Sequence, residues 1–217
     1  MNNDPKQLMK LVSYMATFDG GIYVPHKKKP DSKVNCQFIL NMREENQDYV
    51  NWVKETLENI TSVSLYERPD YNTDGYNRKP QIRLETHRHP YFTKIRDRIY
   101  IDGHKVIDPH TLKLMDDEAL AIIFMCDGGT SLDLRHKNPH AKINLHTKGF
   151  SHPENMALSK AIYDKTGIIT NVNHHGKYYY LSVATKSHKT FYETVKPHVL
   201  PSFDYKFERI APVISGW

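Results

Sequence analysis

The chain of 217 residues carries 30 Lys and Arg against 25 Asp and Glu, a formal net charge of +5 at pH 7, and it has 13 His. This length can bury a sizeable core, as one domain or as two tightly packed halves, and the modest excess of base is compatible with a polyanionic partner. No apolar run reaches about 18 residues and no N-terminal stretch has the pattern of a signal peptide, so the sequence argues against a membrane span and against secretion and favours the cytoplasm or an organelle matrix.

The first half of the sequence predicts a helix, two strands, a helix, two strands and a helix. Hydrophobic periodicity and the turn-forming residues between the apolar runs place these elements at 8–19, 21–27, 34–42, 44–60, 62–68, 81–87 and 90–98. The segment QFILNM alternates with period two, so Phe38, Leu40 and Met42 point to one face of the sheet and their neighbours point to the other.

The second half of the sequence predicts the same order of elements. They lie at 117–127, 130–135, 142–147, 153–165, 168–184 (a hairpin) and 188–197. In KINLHT, Ile143 and Leu145 point one way and the polar residues point the other. The repeated order predicts two halves, 1–105 and 117–217, joined by a connector at 106–116.

Two segments of the chain end in the same way. Residues 11–21 read LVSYMATFDGG and residues 119–129 read ALAIIFMCDGG, so each is an apolar stretch closed by Asp-Gly-Gly. The acids are Asp19 and Asp127, 108 positions apart (127 − 19). A helix dipole disfavours negative charge at the C-terminal end of a helix. Because this unfavourable arrangement occurs twice, we expect both acids to bind something positive, which favours a metal ion.

The polar faces of the predicted strands in both halves are rich in Arg, Lys, Asn, Gln, His and Tyr. These side chains supply the donors, acceptors and positive charge that contact base edges and phosphates, so they favour a nucleic acid as the partner. An ordinary solvated sheet face is the alternative. The His residues form no four-ligand pattern with Cys, which disfavours a structural zinc site.

On these residues the chain resembles the LAGLIDADG homing endonucleases, in particular the monomeric kind with two motifs. The second motif, Leu120-Ala121-x-x-Phe124-Met125-x-Asp127-Gly128-Gly129, fits the family variant L-A-Y-W-F-M-D-D-G-G, whereas the first, MATFDGG, is degenerate. The resemblance implies an α+β fold of duplicated αββαββα halves. It further implies two antiparallel four-stranded sheets that form a DNA-binding saddle, with the motif helices packed at a pseudo-two-fold axis.

The resemblance also implies the chemistry of the site. Asp19 and Asp127 would bind divalent metal at the scissile phosphates, with Mg²⁺ as the ion and Mn²⁺ as a substitute, and the carbonyls of Gly20 and Gly128 would be further ligands. Two lysines match lysines of the family, namely Lys105 in DGHKVIDP and Lys206 in PSFDYKF. Both are predicted to be catalytic, because they would polarise the attacking water or stabilise developing charge.

The residues predicted to contact DNA come from the strands and from basic turns. They are Tyr23, His26, Lys27, Lys28, Gln37, Asn41, Tyr66, Arg68, Arg83, Arg135, Lys142, Asn144, His146, Lys148, Lys177, Tyr178 and Tyr180. Because the two halves differ in sequence, we expect a pseudo-palindromic or asymmetric duplex target, and strands about 10 residues long, paired about the axis, would span about 20 base pairs.

The sequence thus predicts a monomeric, site-specific double-strand DNA endonuclease of the intron-homing type. A non-catalytic binder on the same fold is the main alternative: a repressor, or a maturase whose partner would be group I intron RNA. A nickase with one active half and a structural protein without a ligand are further alternatives. An acid and a lysine in both halves favour the endonuclease.

Overall fold

A computed structural model describes residues 4–25, 34–68, 79–133, 140–214 and 216 of the chain. The chain divides into two compact units, Met1–Gly103 and His104–Trp217. The division falls in a turn where Asp102 (φ 50°) and Gly103 (φ 80°) both have left-handed backbone. It lies two residues before the predicted end of the first half at position 105, and the predicted connector 106–116 belongs to the second unit.

The first unit contains three helices and one four-stranded sheet among its described residues. Its elements are α1 (Pro5–Thr17), β1 (Gly21–Tyr23), β2 (Gln37–Arg43), α2 (Gln47–Glu58), β3 (Val63–Arg68), β4 (Gln81–Thr86), α3 (Pro90–Ile99) and the short strand β5 (Tyr100–Ile101), with a 3₁₀ turn at Glu44–Asn46. Helix α1 begins three residues before the predicted start. The reason is its cap, since the Asp4 side chain accepts from the Lys6 amide and Pro5 occupies the first helical position.

The second unit repeats this order and adds short helices. Its elements are β6 (His104–Lys105), α4 (Pro109–Lys113), α5 (Asp117–Asp127), β7 (Gly128–Asp133), β8 (His140–Leu145), α6 (His152–Thr166), β9 (Thr170–His175), β10 (Tyr178–Val183), α7 (His188–Val195), α8 (Tyr205–Glu208) and α9 (Ala211–Ile214). The sheets have the orders β1-β2-β4-β3 and β7-β8-β10-β9, and neighbouring strands in both sheets pair antiparallel. The predicted α+β fold, with duplicated αββαββα units and two antiparallel four-stranded sheets, is confirmed.

Helix α5 is apolar on every side, and this composition explains its place in the core of the second unit. The residues from Ala119 to Met125 are all buried. The Asp116 side chain caps the helix by accepting from the Ala119 amide at 2.9 Å, and the helix ends at Asp127 as predicted. Within the described ranges, neither this helix nor any other combines the length and the apolar composition needed to cross a membrane.

The register of the first sheet separates an apolar face from a polar face. Leu40 on β2 lies opposite Leu84 on β4, and both are buried against the core. The next pair, Asn41 and Arg83, points to the other face. The predicted alternation of β2 is therefore confirmed, although Ile39 on the polar face is also buried.

The second sheet has the same division of faces. Leu145 on β8 lies opposite Leu181 on β10, and both are fully buried. Their neighbours Asn144 and Ser182 form the adjacent pair and point to the polar face. In each unit the helices cover one face of the sheet and the opposite face carries polar side chains.

Candidate metal centre and nucleic-acid interface

Asp19 lies in the turn that joins α1 to the first strand of its sheet. The helix is closed by the Phe18 amide, which donates to the Tyr14 carbonyl at 3.1 Å, and by the Gly20 amide, which donates to the Met15 carbonyl at 2.8 Å. These two bonds leave the Asp19 side chain exposed at the start of β1. A Cβ on Gly20 would lie 2.4 Å from the ring of Phe38, so the turn needs glycine at this position.

Asp127 is the last residue of α5 and directly precedes the first strand of the second sheet. Its side chain is half-buried, and its carbonyl accepts from the His146 amide at 2.7 Å. Gly128 and Leu145, the next residues paired between β7 and β8, therefore form a non-hydrogen-bonded pair of the antiparallel sheet. The Gly128 carbonyl therefore points away from β8, as a metal ligand at this edge of the sheet would require.

The two acids thus have the same place in the two units, each after a buried helix and before the first strand of a sheet. Neither lies in a cluster of the zinc type, because the described residues contain no group of three or more His, Cys, Asp and Glu that could hold a metal. A single carboxylate with a nearby carbonyl fits Mg²⁺ better, since this ion usually keeps water and substrate phosphates as its remaining ligands.

Lys206 lies beneath the C-terminal end of α5. Its side chain is 5% exposed, and its ammonium donates to the carbonyls of Phe124 at 2.8 Å and Met125 at 2.7 Å. The ammonium also lies over the rings of Phe124 and Phe203, and the Thr130 hydroxyl on β7 donates to the Lys206 carbonyl. The structure thus connects Lys206 to the motif helix and to the strand that follows it.

Lys105 has different surroundings from Lys206, although the sequence spacing suggested a matched pair. It is half-buried in the short strand β6, whereas Lys206 lies in helix α8. The repeat of the fold therefore does not extend to the local structure around the two lysines. The catalytic roles assigned to both remain predictions.

The polar face of the first sheet carries the predicted DNA-contacting residues that the structure describes in this unit. The register places on this face Tyr23, Gln37, Asn41, Tyr66, Arg68 and Arg83. Arg83 lies between Asn41 on β2 and Tyr66 on β3. A cavity of about 410 Å³ opens on this unit and is lined by Gln37, Ser64, Tyr66, Glu85, Thr86, His87 and Arg88. The predicted residues His26, Lys27 and Lys28 lie outside the described residues.

The polar face of the second sheet carries Lys142, Asn144, Tyr178 and Tyr180. The other predicted residues of this unit lie at its loops: His146 and Lys148 follow β8, and Lys177 lies in the turn between β9 and β10. Two cavities, of about 310 and 230 Å³, open beside these side chains. Predicted Arg135 lies outside the described residues.

His146 lies close to the Asp127 end of the second sheet. Its Nε2 lies 2.8 Å from the position that a Cβ on Gly129 would take, so the glycine makes room for the ring. Burial lowers the pKa of His146, and the positive charges of Lys148 and Lys206 lower it further. The imidazole is therefore neutral at pH 7, and it can both donate and accept a hydrogen bond.

Two carboxylates on the polar faces escaped the sequence prediction. In the first sheet Glu85 accepts from Arg83 Nε, and in the second Lys142 Nζ lies 2.7 Å from Oδ2 of Asp133. The first pair could have been predicted, because Arg83 and Glu85 are two residues apart on one strand and so lie on the same face. The second pair joins two strands, so only their register reveals it.

Comparisons with known proteins agree with this architecture. The model of the LAGLIDADG DNA endonuclease family matches residues 19–191. Among curated proteins, "Probable intron-encoded DNA endonuclease 3" of Mycosarcoma maydis is 28% identical over 131 residues, which cover 58% of this chain and 92% of that protein. Two further curated relatives match over only part of their lengths, 46% and 37%.

Two solved structures share the fold. The homing endonuclease I-WcaI bound to its DNA recognition sequence has a TM-score of 0.74 and 20% identity, over 95% of this chain and 88% of that one. The LAGLIDADG meganuclease I-AabMI bound to uncleaved DNA has a TM-score of 0.60 and 10% identity, over 95% and 90%. Because the family model spans 173 of the 217 residues (191 − 19 + 1), this chain belongs to the LAGLIDADG DNA endonuclease family.

Proposed function

We propose that this chain is a site-specific homing endonuclease that cuts both strands of a long DNA duplex with the help of a divalent metal ion. One observation carries the proposal: the same acid, at the end of a buried helix and at the start of a sheet with a polar face, occurs in both units. Two equivalent acids match a reaction performed twice, once on each strand.

Asp19 and Asp127 are the residues that would hold the ion, with the carbonyls of Gly20 and Gly128 beside them. When bound, Mg²⁺ or Mn²⁺ neutralises charge on the phosphate and makes a bound water more acidic. Each unit supplies one carboxylate, so phosphate oxygens and water complete the ligand set, as is usual for Mg²⁺. Because phosphate oxygens would be among the ligands, the chain should bind the metal ion more tightly when DNA is bound.

The lysines have separate roles in this proposal. Lys206 holds the last turn of α5 and thereby fixes the backbone that carries Asp127. Its buried positive charge also stabilises a carboxylate and a phosphate brought near each other. Lys105, which is half-buried, would polarise the attacking water in the reaction.

The polar faces of the two sheets are the proposed DNA-binding surfaces. Their Tyr, Asn, Gln, Arg and Lys side chains match the groups that contact base edges in the major groove and the neighbouring phosphates. Strands of six or seven residues, shorter than the expected length of about 10, extend over about six or seven base pairs in each half, so the turns at the strand ends would have to reach the outer base pairs of a target of about 20. We propose that a single chain covers this target, because the two units differ in sequence.

The comparisons support DNA as the partner. I-WcaI was solved bound to its DNA recognition sequence, and the relative from Mycosarcoma maydis is named as an intron-encoded DNA endonuclease. The acid in each unit favours cutting over binding alone, because a carboxylate at this place can hold Mg²⁺ for hydrolysis, whereas without a metal it repels the phosphates.

Cleavage of a randomised duplex library tests the proposal. The wild-type chain and Asp127→Asn are incubated with the library in Mg²⁺ or in Ca²⁺, and the cut ends and the retained duplexes are sequenced. The expected result is double-strand cutting at one long site in Mg²⁺ by the wild-type chain only. If duplex or intron RNA is retained but no sequence is cut, the chain is a binder and the catalytic assignments are wrong.

A further inference from the structure

Each sheet carries a carboxylate on its polar face, where a polyanionic ligand should disfavour negative charge. The carboxylates are Glu85 on β4 and Asp133 at the end of β7. Each contacts a cation of the same face, because Arg83 Nε donates to Glu85 Oε1 and Lys142 Nζ lies 2.7 Å from Asp133 Oδ2. Both units thus place an acid–base pair on the polar face, although the first pair lies on one strand and the second joins two strands.

In the first sheet the pair is held between flanking strands. The Arg83 and Glu85 side chains are each 25% exposed, and Arg83 lies between Asn41 and Tyr66. Its Nε is engaged by Glu85, so the fork of its two terminal amino groups is the part that remains to meet a ligand. This planar fork matches the O6 and N7 acceptors of guanine in the major groove.

In the second sheet the carboxylate is buried and the cation is not. The Asp133 side chain is 4% exposed, whereas that of Lys142 is 44% exposed. His140 Nε2 lies 3.9 Å from the same carboxylate oxygen, so a second donor side chain stands beside the pair. Lys142 also borders the cavity of about 310 Å³, together with Asn144 and Ser182. The buried end of the pair is thus fixed in the protein and the ammonium stands at the polar surface.

We propose that Glu85 and Asp133 are positioning residues that hold Arg83 and Lys142 as guanine readers, one in each half of the DNA target. This inference rests on the proposed function and names how its surface selects a sequence. A long side chain that is free to move contacts phosphates wherever they lie, and such contacts carry no sequence information. A side chain held by a carboxylate has already lost this freedom, so it meets a base edge at low entropic cost.

The carboxylates should weaken binding to DNA in general and strengthen discrimination between bases, since specificity is a difference between affinities. A Glu85→Gln substitution therefore has two effects in opposite directions. Affinity for random duplex rises, because a negative charge is removed beside phosphates. Preference for guanine at one position of the target falls by about ten-fold, within the range that a two-point contact to guanine supplies. Asp133→Asn does the same at a second position, in the other half of the target.

Single-base scanning of the selected target tests this assignment. Binding of the intact chain to every single-base variant is measured for the wild type, Glu85→Gln, Asp133→Asn, Arg83→Ala and Lys142→Met, with the thermal midpoint of each. Glu67→Gln is the matched control, because it removes the same charge from an exposed residue on the neighbouring strand and on the opposite face. We expect Glu85→Gln and Arg83→Ala to lose the preference for guanine at the same position of the target. Asp133→Asn and Lys142→Met should lose it at a second position. Glu67→Gln should keep the preference at every position.

Other outcomes would overturn the assignment. If Arg83→Ala weakens binding equally to all sequences and reduces the salt slope by about one, Arg83 contacts a phosphate. If Glu85→Gln and Asp133→Asn leave every base preference unchanged, or change only the thermal midpoint, the carboxylates are structural. If the wild-type chain selects a site and the Glu85→Gln and Asp133→Asn variants keep the same base preferences, only this inference is contradicted. A wild-type chain that selects no duplex contradicts the proposed function, and this inference with it.

Discussion

The ammonium of Lys206 lies 2.7 Å from the carbonyl oxygen of Met125, two residues before Asp127. It reaches the Phe124 carbonyl as well, at 2.8 Å, so one buried cation satisfies two acceptors in the last turn of α5. A cation is favourable at this end of a helix, where the dipole is negative, and it adds a donor to the Phe124 carbonyl, which also accepts from the Gly128 amide. The end of the helix that presents the acid is therefore fixed by a side chain 81 residues further along the chain.

We expect Lys206→Met to destabilise the chain by about 2–4 kcal/mol, because it removes a buried charged donor from two carbonyls, of which that of Phe124 keeps its bond from the Gly128 amide. The measurement is urea denaturation of the free chain, followed by cleavage at a temperature where both proteins are folded. Lys196→Met is the matched control, since Lys196 pairs with Asp204 at a partly exposed site and its loss should cost less than about 1 kcal/mol. Equal stability of Lys206→Met and wild type would show that the contact contributes nothing.

Gly128→Ala should damage the link between α5 and β7. An added Cβ would lie 2.3 Å from the Phe124 carbonyl oxygen and 2.8 Å from its Cα, which are backbone atoms that cannot move aside independently. We expect a loss of at least about 2 kcal/mol in the free energy of unfolding, together with slower cleavage.

Gly149→Ala provides the comparison for that variant, because nothing lies within 4 Å of the added atom. It should fall within about 0.5 kcal/mol of the wild type in the same denaturation experiment. A Gly128→Ala chain that is as stable as Gly149→Ala would contradict the close approach of α5 to the first strand.

His188 predicts a dependence of stability on pH. Burial lowers its pKa in the folded chain; the contact of its Nε2 with the Val183 carbonyl at 3.0 Å opposes this shift in part, and nearby His140 adds to it. A lowered pKa means that the unfolded chain binds the proton more readily. The contribution to stability is therefore full above the ordinary pKa of about 6.5 and falls as the pH decreases below it.

The measurement is the free energy of unfolding without DNA at pH 7.5 and pH 5.5, for the wild type and for His188→Gln. The wild type should lose stability at pH 5.5, and the variant should lose less because its amide does not titrate. If His188→Gln loses as much free energy of unfolding between pH 7.5 and pH 5.5 as the wild type, other groups cause the effect.

The long, strongly patterned elements of this fold were predictable from the sequence. Helix α5 was predicted with both ends correct, because its apolar run is closed by Asp127 and the pair Gly128-Gly129, and the structure adds the cap at Asp116. The strands of both sheets were predicted within a few residues, since turn residues bound each alternating segment. The family resemblance implied two antiparallel four-stranded sheets, whereas the order of the strands within each sheet was not predicted, because hydrophobic alternation specifies faces and not neighbours.

Short elements and contacts between distant residues were not predictable in this way. Helix α8 has four residues and α4 has five, too few to show a period of 3.6. The sequence therefore identified Lys206 by its motif without the helix that buries it. Asp133 was missed for a related reason, since its partner Lys142 lies on another strand and only the register of β7 with β8 joins them.

The proposed role of Asp19 and Asp127 in metal-dependent cutting of both strands can be measured on a plasmid that carries the selected target. The wild type, Asp19→Asn and Asp127→Asn are compared in Mg²⁺ and in Ca²⁺. We predict that the wild type makes linear DNA in Mg²⁺ alone, and that both variants bind the target and make no linear DNA. Linear product at the wild-type rate from either variant, or from the wild type without divalent metal, would show that these acids do not have the proposed role.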